Sequence, residues 1–145
     1  MKVIIELIDE SKEEEIILRV HELSNINAPL LEHLGNSDNE IITQKDDEIH
    51  KVKLNDIYYF GVLERKAFVY SKSDIYETKL KLYEFEKKTQ GTRFFRASKS
   101  MVVNADKIDH VKPSLSGRFE VTLLNGEKVI VSRQYASLLK KVMEI

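Results

Sequence analysis

The chain contains no cysteine and no tryptophan, and only 2 prolines and 5 glycines occur in its 145 residues. Each scarcity excludes a class of protein. Without cysteine there are no disulfides, thiolate metal sites or cysteine nucleophiles, which suits a reducing compartment and makes the cytoplasm the expected location. No apolar run approaches the roughly 18 residues of a membrane-spanning helix, and the opening MKVIIELIDESKEEE turns acidic too early for a secretory signal. There is no P-loop, no GxGxxG fingerprint and no GxSxG elbow, and few glycines are available to cradle a phosphate. His21, His33, His50 and His110 are scattered without ligand spacing. Glu13, Glu14 and Glu15 fall where a helix would begin, a position in which negative charge favours the macrodipole, so they do not read as an acid/base pair. No cofactor, no metal and no enzymatic activity is expected.

What is present describes an ordinary folding chain, 42% apolar and 32% charged, long enough for one domain and a modest appendage. The net charge of −1 hides a division. Residues 1–48 carry 4 Lys/Arg against 13 Asp/Glu, whereas residues 49–145 carry 19 against 11, so the two parts stand at −9 and +8. Such asymmetry points to a polyanion-binding domain with an acidic appendage, with a merely solvated basic surface as the plain alternative.

The local pattern changes along the chain. Residues 2–8 (KVIIELI) read as a strand, and Ser11 with Glu14 has capping-box spacing at the start of a helix. Ile16, Ile17, Val20 and Leu23 fall on one face of that helix, for packing in cis or for a second subunit. A second short helix through Leu30, Leu31 and Leu34 is expected, then a polar linker at residues 36–40. The layout is thus an acidic strand-helix segment, residues 1–38, followed by a domain over residues 39–145. The latter opens with β-branched and aromatic runs at 41–45, 49–54, 57–63 and 67–70, too closely spaced for helical crossovers and so antiparallel. Leu80, Leu82, Tyr83 and Phe85 mark a short helix ending near Thr89, with Gly91 as its stop. FEVTLLNGEKVIVS predicts a hairpin with a type I′ turn at Asn125-Gly126. Ser132 is placed to cap a final helix over residues 133–143, with Tyr135, Leu138, Leu139 and Val142 on its apolar face.

Two segments carry chemistry. RFFRASKSMVVN, residues 93–104, sets three cations and two hydroxyls around an apolar anchor with no acid before Asp106. That is the mixture a DNA-tracking surface needs, with Arg and Ser on phosphates and Lys at a base edge. In VSRQY, residues 131–135, a helix start capped by Ser132 would offer free amides to a phosphate beside Arg133. The order FFRASKSMVVNADKI, a basic strand, then LNGEKVIVSRQY and an apolar helix resembles the C-terminal part of the LytTR family of bacterial DNA-binding domains. LNDIYYFGVLERKAFVYSKSDIYETKLKLYEFE resembles its first half, so the likeness covers about residues 41–143.

The resemblance implies a mainly β (α+β) fold, an antiparallel LytTR-like β structure with short helices, whose loops enter successive major grooves. It implies base-reading roles for Lys99 and Arg133, with Arg65 and Lys66 in the first hairpin as a third contact. Arg96, Ser98, Ser100, Arg118, Ser132 and Gln134 are the expected phosphate-binding residues, and Asn104 is expected to fix its loop. The roughly 40 preceding residues cannot hold a phosphoacceptor receiver domain, which needs on the order of 100. The layout therefore resembles short stand-alone LytTR regulators, some of which are restrained by a membrane-protein partner. The expected function is sequence-specific binding of double-stranded DNA in transcription regulation, on a direct-repeat-like site and as a homodimer. The rival is a protein-interaction module whose basic loops dock an acidic protein. RNA binding fits less well, because the aromatic residues fall at alternating core positions and form no stacking platform.

Overall fold

The computed structural model describes residues 2–22 and 39–145, and the chain divides into two units, Met1–Ser37 and Asp38–Ile145. Residues 2–22 contain neither helix nor paired strand. They turn where Lys12 N–H donates to Asp9 O and Ser11 N–H to Asp9 Oδ1, both at 2.9 Å. The strand expected over residues 2–8 and the helix expected from Ser11 are therefore not found, since Ser11 serves a turn instead of capping a helix. The physical reason lies in burial. A short amphipathic helix owes most of its stability to covering its apolar face, and here Val3, Ile4, Ile5, Leu7, Ile16 and Ile17 are all exposed. The helix expected through Leu30–Leu34 and most of the expected linker lie outside the described residues.

The second unit is built from ten strands: β1 (Glu40–Lys45), β2 (Glu48–Lys53), β3 (Tyr59–Leu63), β4 (Lys66–Tyr70), β5 (Ile75–Thr78), β6 (Phe94–Ser98), β7 (Met101–Asn104), β8 (Ile108–Pro113), β9 (Phe119–Leu123) and β10 (Lys128–Val131). Two helices join them, α1 (Leu82–Lys88) and α2 (Ala136–Met143). All pairings are antiparallel, in one sheet of order β2-β1-β5-β4-β3-β7-β6 and another of order β10-β9-β8. This is the mainly β fold with short helices that the sequence predicts. Strand β5 escaped the sequence reading because four residues with polar neighbours give little periodic signal.

The core sits on both faces of the larger sheet. Successive side chains of a strand point to opposite faces, so Tyr59 and Val103 go one way while their neighbours Phe60 and Val102 go the other. The first pair joins Phe95, Val121, Leu123, Val131 and Leu139, packing the large sheet against the small sheet and α2. The second pair joins Ile41, Ile57, Val69 and Phe85 beneath α1. Phe85 stacks on Phe60 at 4.5 Å and meets Phe94 edge-on at 5.4 Å. Helix α1 is fixed at its start by the Glu84 carboxylate accepting from Lys81 N–H at 3.1 Å, and at its end by Thr89 Oγ1 donating to Phe85 O at 2.8 Å. No buried side-chain nitrogen or oxygen among the described residues lacks a partner.

Three local expectations need correction or refinement. The β9–β10 connection is not a type I′ turn, because only Gly126, at φ 86°, takes positive φ. Gly126 N–H bonds Leu123 O, and Asn125 spends its side chain on Glu127 N–H and on Lys72 O, which pins the hairpin to the larger sheet's β4–β5 connection. The two-residue turns with positive φ at both positions are Asp46-Asp47 and Glu64-Arg65. Helix α2 starts at Ala136, after a 3₁₀ turn over Arg133–Tyr135, and the Ser132 hydroxyl makes no capping bond. Ser132 is still extended there, its N–H committed to Ala97 O at 2.9 Å.

Phe85 fills the space between α1 and the sheet and is fully buried. Phe85→Ala should lower unfolding stability by about 3–5 kcal/mol, seen as a fall in the urea midpoint with little change in slope.

Candidate nucleic-acid interface

All but one of the cationic residues singled out in the sequence lie on or beside a row of four connections, three linked by backbone hydrogen bonds and the fourth by packing against Arg133. The β3–β4 turn presents Arg65 and Lys66, and the β6–β7 turn presents Lys99 between Ser98 and Ser100. Val62 N–H donates to Ser100 O at 2.9 Å, which sets these two turns side by side. The β10–α2 connection presents Arg133 and Gln134, and the bond from Ser132 N–H to Ala97 O sets it on the other side of the β6–β7 turn. The β8–β9 turn adds Arg118, and its Gly117, at φ 74°, comes so close to Arg133 that a Cβ there would stand 3.2 Å from Arg133 Cγ. The aliphatic stem of Arg133 is thus packed against a glycine backbone.

The charges on this row are free. Arg65, Lys66, Lys99, Arg118 and Arg133 are exposed, and none forms an ion pair among the described residues. Some other cations of the same unit are paired: Lys45 with Asp74 at 2.5 Å, Arg93 with Asp106 at 3.1 Å, and Lys112 and Lys128 both with Glu120. The hydrogen bond from Lys128, reinforced by Lys112, holds the Glu120 carboxyl below the usual range.

Arg96 stands apart from the other sequence candidates. Its side chain is largely buried and its nitrogens are occupied within the protein. Nε donates to Ser98 O at 2.5 Å and Nη2 to Lys99 O at 2.6 Å, so the guanidinium holds the two carbonyls of the turn that displays Lys99. Nη1 reaches Glu86 of α1 at 3.3 Å, and the group lies over the Tyr135 ring at 5.4 Å from its centroid. One side chain therefore touches the β6–β7 turn, α1 and the segment carrying Arg133. Hydrogen bonds to a charged group contribute about 1.5–3 kcal/mol each, more than neutral ones.

The hydroxyls divide similarly. Ser98 Oγ accepts from Ser100 N–H at 3.2 Å inside the turn, whereas Ser100 is exposed. Gln134 is exposed and Ser132 half-buried. Asn104 lies at the other end of β7 from the Lys99 turn, where Nδ2 donates to Ile57 O and Oδ1 accepts from Asp106 N–H, both at 3.0 Å, so it fixes the turn that follows β7. Residues the sequence did not disclose are Glu86, Tyr135 as a platform for Arg96, and Gly117. Glu86 and Tyr135 sit in patterns that read as plain helix, and their partners come from distant segments. Among the described residues no group of three or more His, Asp or Glu could hold a metal, and no helix is long and apolar enough to cross a membrane.

Comparison with known proteins agrees on one family. The model of the LytTr DNA-binding domain matches residues 47–144. The sensory transduction protein LytT of Enterococcus faecalis is 32% identical over 107 residues, 74% of this chain and 44% of that protein. The transcriptional regulatory protein YpdB of Escherichia coli K12 is 30% identical, over 70% of this chain and 42% of that protein. The chain thus spans less than half the length of these relatives. Among solved structures, a LytTr DNA-binding domain of a methyl-accepting/DNA response regulator from Bacillus cereus superposes with a TM-score of 0.71 at 26% identity, over 75% of this chain and all of that one. With the ten-strand architecture, the linked cationic turns and these matches together, the chain belongs to the LytTR family of DNA-binding domains.

Proposed function

We propose that the chain is a transcription regulator that binds double-stranded DNA sequence-specifically through the row of four connections, with Lys99 and Arg133 reading base edges. The observation that supports this most directly is the set of five unpaired, exposed cations on neighbouring connections, three of them tied by backbone hydrogen bonds and the β8–β9 turn packed against Arg133. Unpaired cations on a rigid scaffold fit a phosphate backbone, whose neutralisation supplies most of the sequence-independent affinity. Arg65 on its two-residue turn and Lys66 at the start of β4 would enter a groove beside Lys99, and Arg118, Ser100, Ser132 and Gln134 would meet phosphates on either side. Separate turns instead of one helix would let the surface follow successive grooves. Arg96 is assigned to holding the Lys99 turn in place, because its donors are already used. A major-groove reader of this kind gains 1–3 kcal/mol of discrimination from each good bidentate contact.

The acidic segment ahead of the domain is proposed to serve self-association, since Val3, Ile5, Leu7, Ile16 and Ile17 leave apolar surface uncovered. Two copies would double the number of grooves read and suit a direct-repeat-like site. Deleting residues 1–38 should then convert a dimer to a monomer in sedimentation. An unchanged sedimentation coefficient per protomer mass would end that idea.

Selection of the purified protein on random duplex DNA should enrich a repeated motif that is bound far more tightly than its scrambled control. Lys99→Ala and Arg133→Ala should each weaken the enriched site by about 1–3 kcal/mol, with a smaller effect on scrambled DNA. An equal loss on both duplexes would reassign that residue to phosphate. Arg96→Ala should also weaken the enriched site, and Arg96→Lys should restore little of it, because one ammonium cannot hold two carbonyls, Glu86 and the Tyr135 face together. Full rescue by lysine in the same titration would mean that Arg96 acts only as a charge.

A further inference from the structure

A groove of about 530 Å³ lies beside the β3–β4 and β6–β7 turns and is lined as well by the segment from Glu77 to Leu82. Val62, Ala67 and Leu80 contribute apolar lining, and five cations border it: Arg65, Lys66, Lys79, Lys81 and Lys99. Glu77 is the one acid in this part of the lining. Lys79 and Lys81 are not among the residues the sequence pattern singles out, and their side chains have no role in the contacts described above.

Their placement follows from the local chain. Thr78 is buried, its hydroxyl donating to Ile42 O and accepting from Leu80 N–H, both at 3.2 Å. Leu80 is drawn in against the core beneath α1. In an extended stretch alternate residues share a side, so anchoring Thr78 and Leu80 inward presents Lys79 and Lys81 outward together, and both are exposed. Neither forms an ion pair among the described residues. Five like charges around one concave lining repel each other and concentrate positive potential where an anion would sit.

We infer that this groove is an additional phosphodiester-binding site, in which Lys79 and Lys81 grip the DNA backbone alongside the groove entered by Lys66 and Lys99. The inference rests on the DNA-binding reading and extends its footprint to the β5–α1 connection. These two lysines add affinity without sequence information, because they face phosphates and not base edges. Glu77 opposes the same phosphates, so its charge limits how tightly the groove holds them.

The test uses the full chain, an enriched duplex and its scrambled control, titrated over a range of salt. The double variant Lys79→Gln/Lys81→Gln should bind both duplexes more weakly by a similar factor. Its plot of log affinity against log salt should be shallower by about 1.8, two contacts at roughly 0.9 each. Its preference for the enriched site should be kept. Glu77→Gln should tighten both duplexes, a gain that damage to the fold cannot imitate. A double variant with the wild-type salt slope, or a Glu77→Gln protein with unchanged affinity, overturns the groove assignment while leaving DNA binding intact. A wild-type protein that binds no duplex overturns the DNA reading and takes the groove with it.

Discussion

Strands β3 and β7 lie at the middle of two cores, and the rest of the domain depends on that double burial. Their pleat sends Phe60 and Val102 under α1 and Tyr59 and Val103 toward the small sheet and α2. Each strand must therefore be apolar on both faces, which is why YYFGV and MVV read as continuous apolar runs and not as alternating ones. With these strands fixed, the turns at their ends are fixed too. The β3–β4 and β6–β7 connections stand beside each other because β3 and β7 are partners, and the register of Gly61 with Met101 puts Val62 N–H in reach of Ser100 O.

The second link in the chain of causes is Arg96. It lies on β6 next to the Lys99 turn, and its guanidinium meets the turn's carbonyls, a glutamate of α1 and the Tyr135 ring that follows Arg133. Arginine suits this place because its planar fork carries five donors at fixed angles and its face stacks on an aromatic ring. The two connections proposed to read bases are thus held in a fixed relation by a cation that spends its own charge internally. The cations left without partners on the neighbouring turns are then available to a polyanion, and the lysines of the β5–α1 connection enlarge that field.

The junction between the sheets works on similar lines. Tyr59 donates its hydroxyl to Glu127 at the tip of the β9–β10 hairpin and stacks on Tyr70 at 4.1 Å. Burial, together with the Glu127 carboxylate, pushes the Tyr59 phenol well above its ordinary range, so it stays a donor. Asn125 adds its bond to Lys72 O from the same hairpin. A turn that looks from sequence like a free-standing Asn-Gly hairpin is docked against its neighbours, and its conformation is not type I′.

Much of this was readable in the residues. Periodicity and turn chemistry located β1 to β4, the helix around Phe85, the β9–β10 hairpin and the apolar stripe of α2, because those signals depend on neighbours within a few residues. The basic turns at Lys99 and Arg133 were legible for the same reason, together with the order of motifs that marks the family. The sequence misleads where the outcome of a local pattern depends on what the segment touches. Ser11 and Glu14 have capping spacing, but Ser11 occupies a turn and no helix follows, and Ser132 has a cap's place although its hydroxyl makes no capping bond and its amide is held by Ala97. What the sequence determined by itself is most of the strands from β1 to β4 and the β9–β10 pair, the charge division and the chemical character of the loops, all properties of short stretches. Only the tertiary structure decided that Arg96 faces inward, that Gly117 supports Arg133, and that Lys79 and Lys81 border the same groove as Lys66 and Lys99. Those relations join residues far apart in the chain, and they arise from strand pairing and packing that no local pattern records.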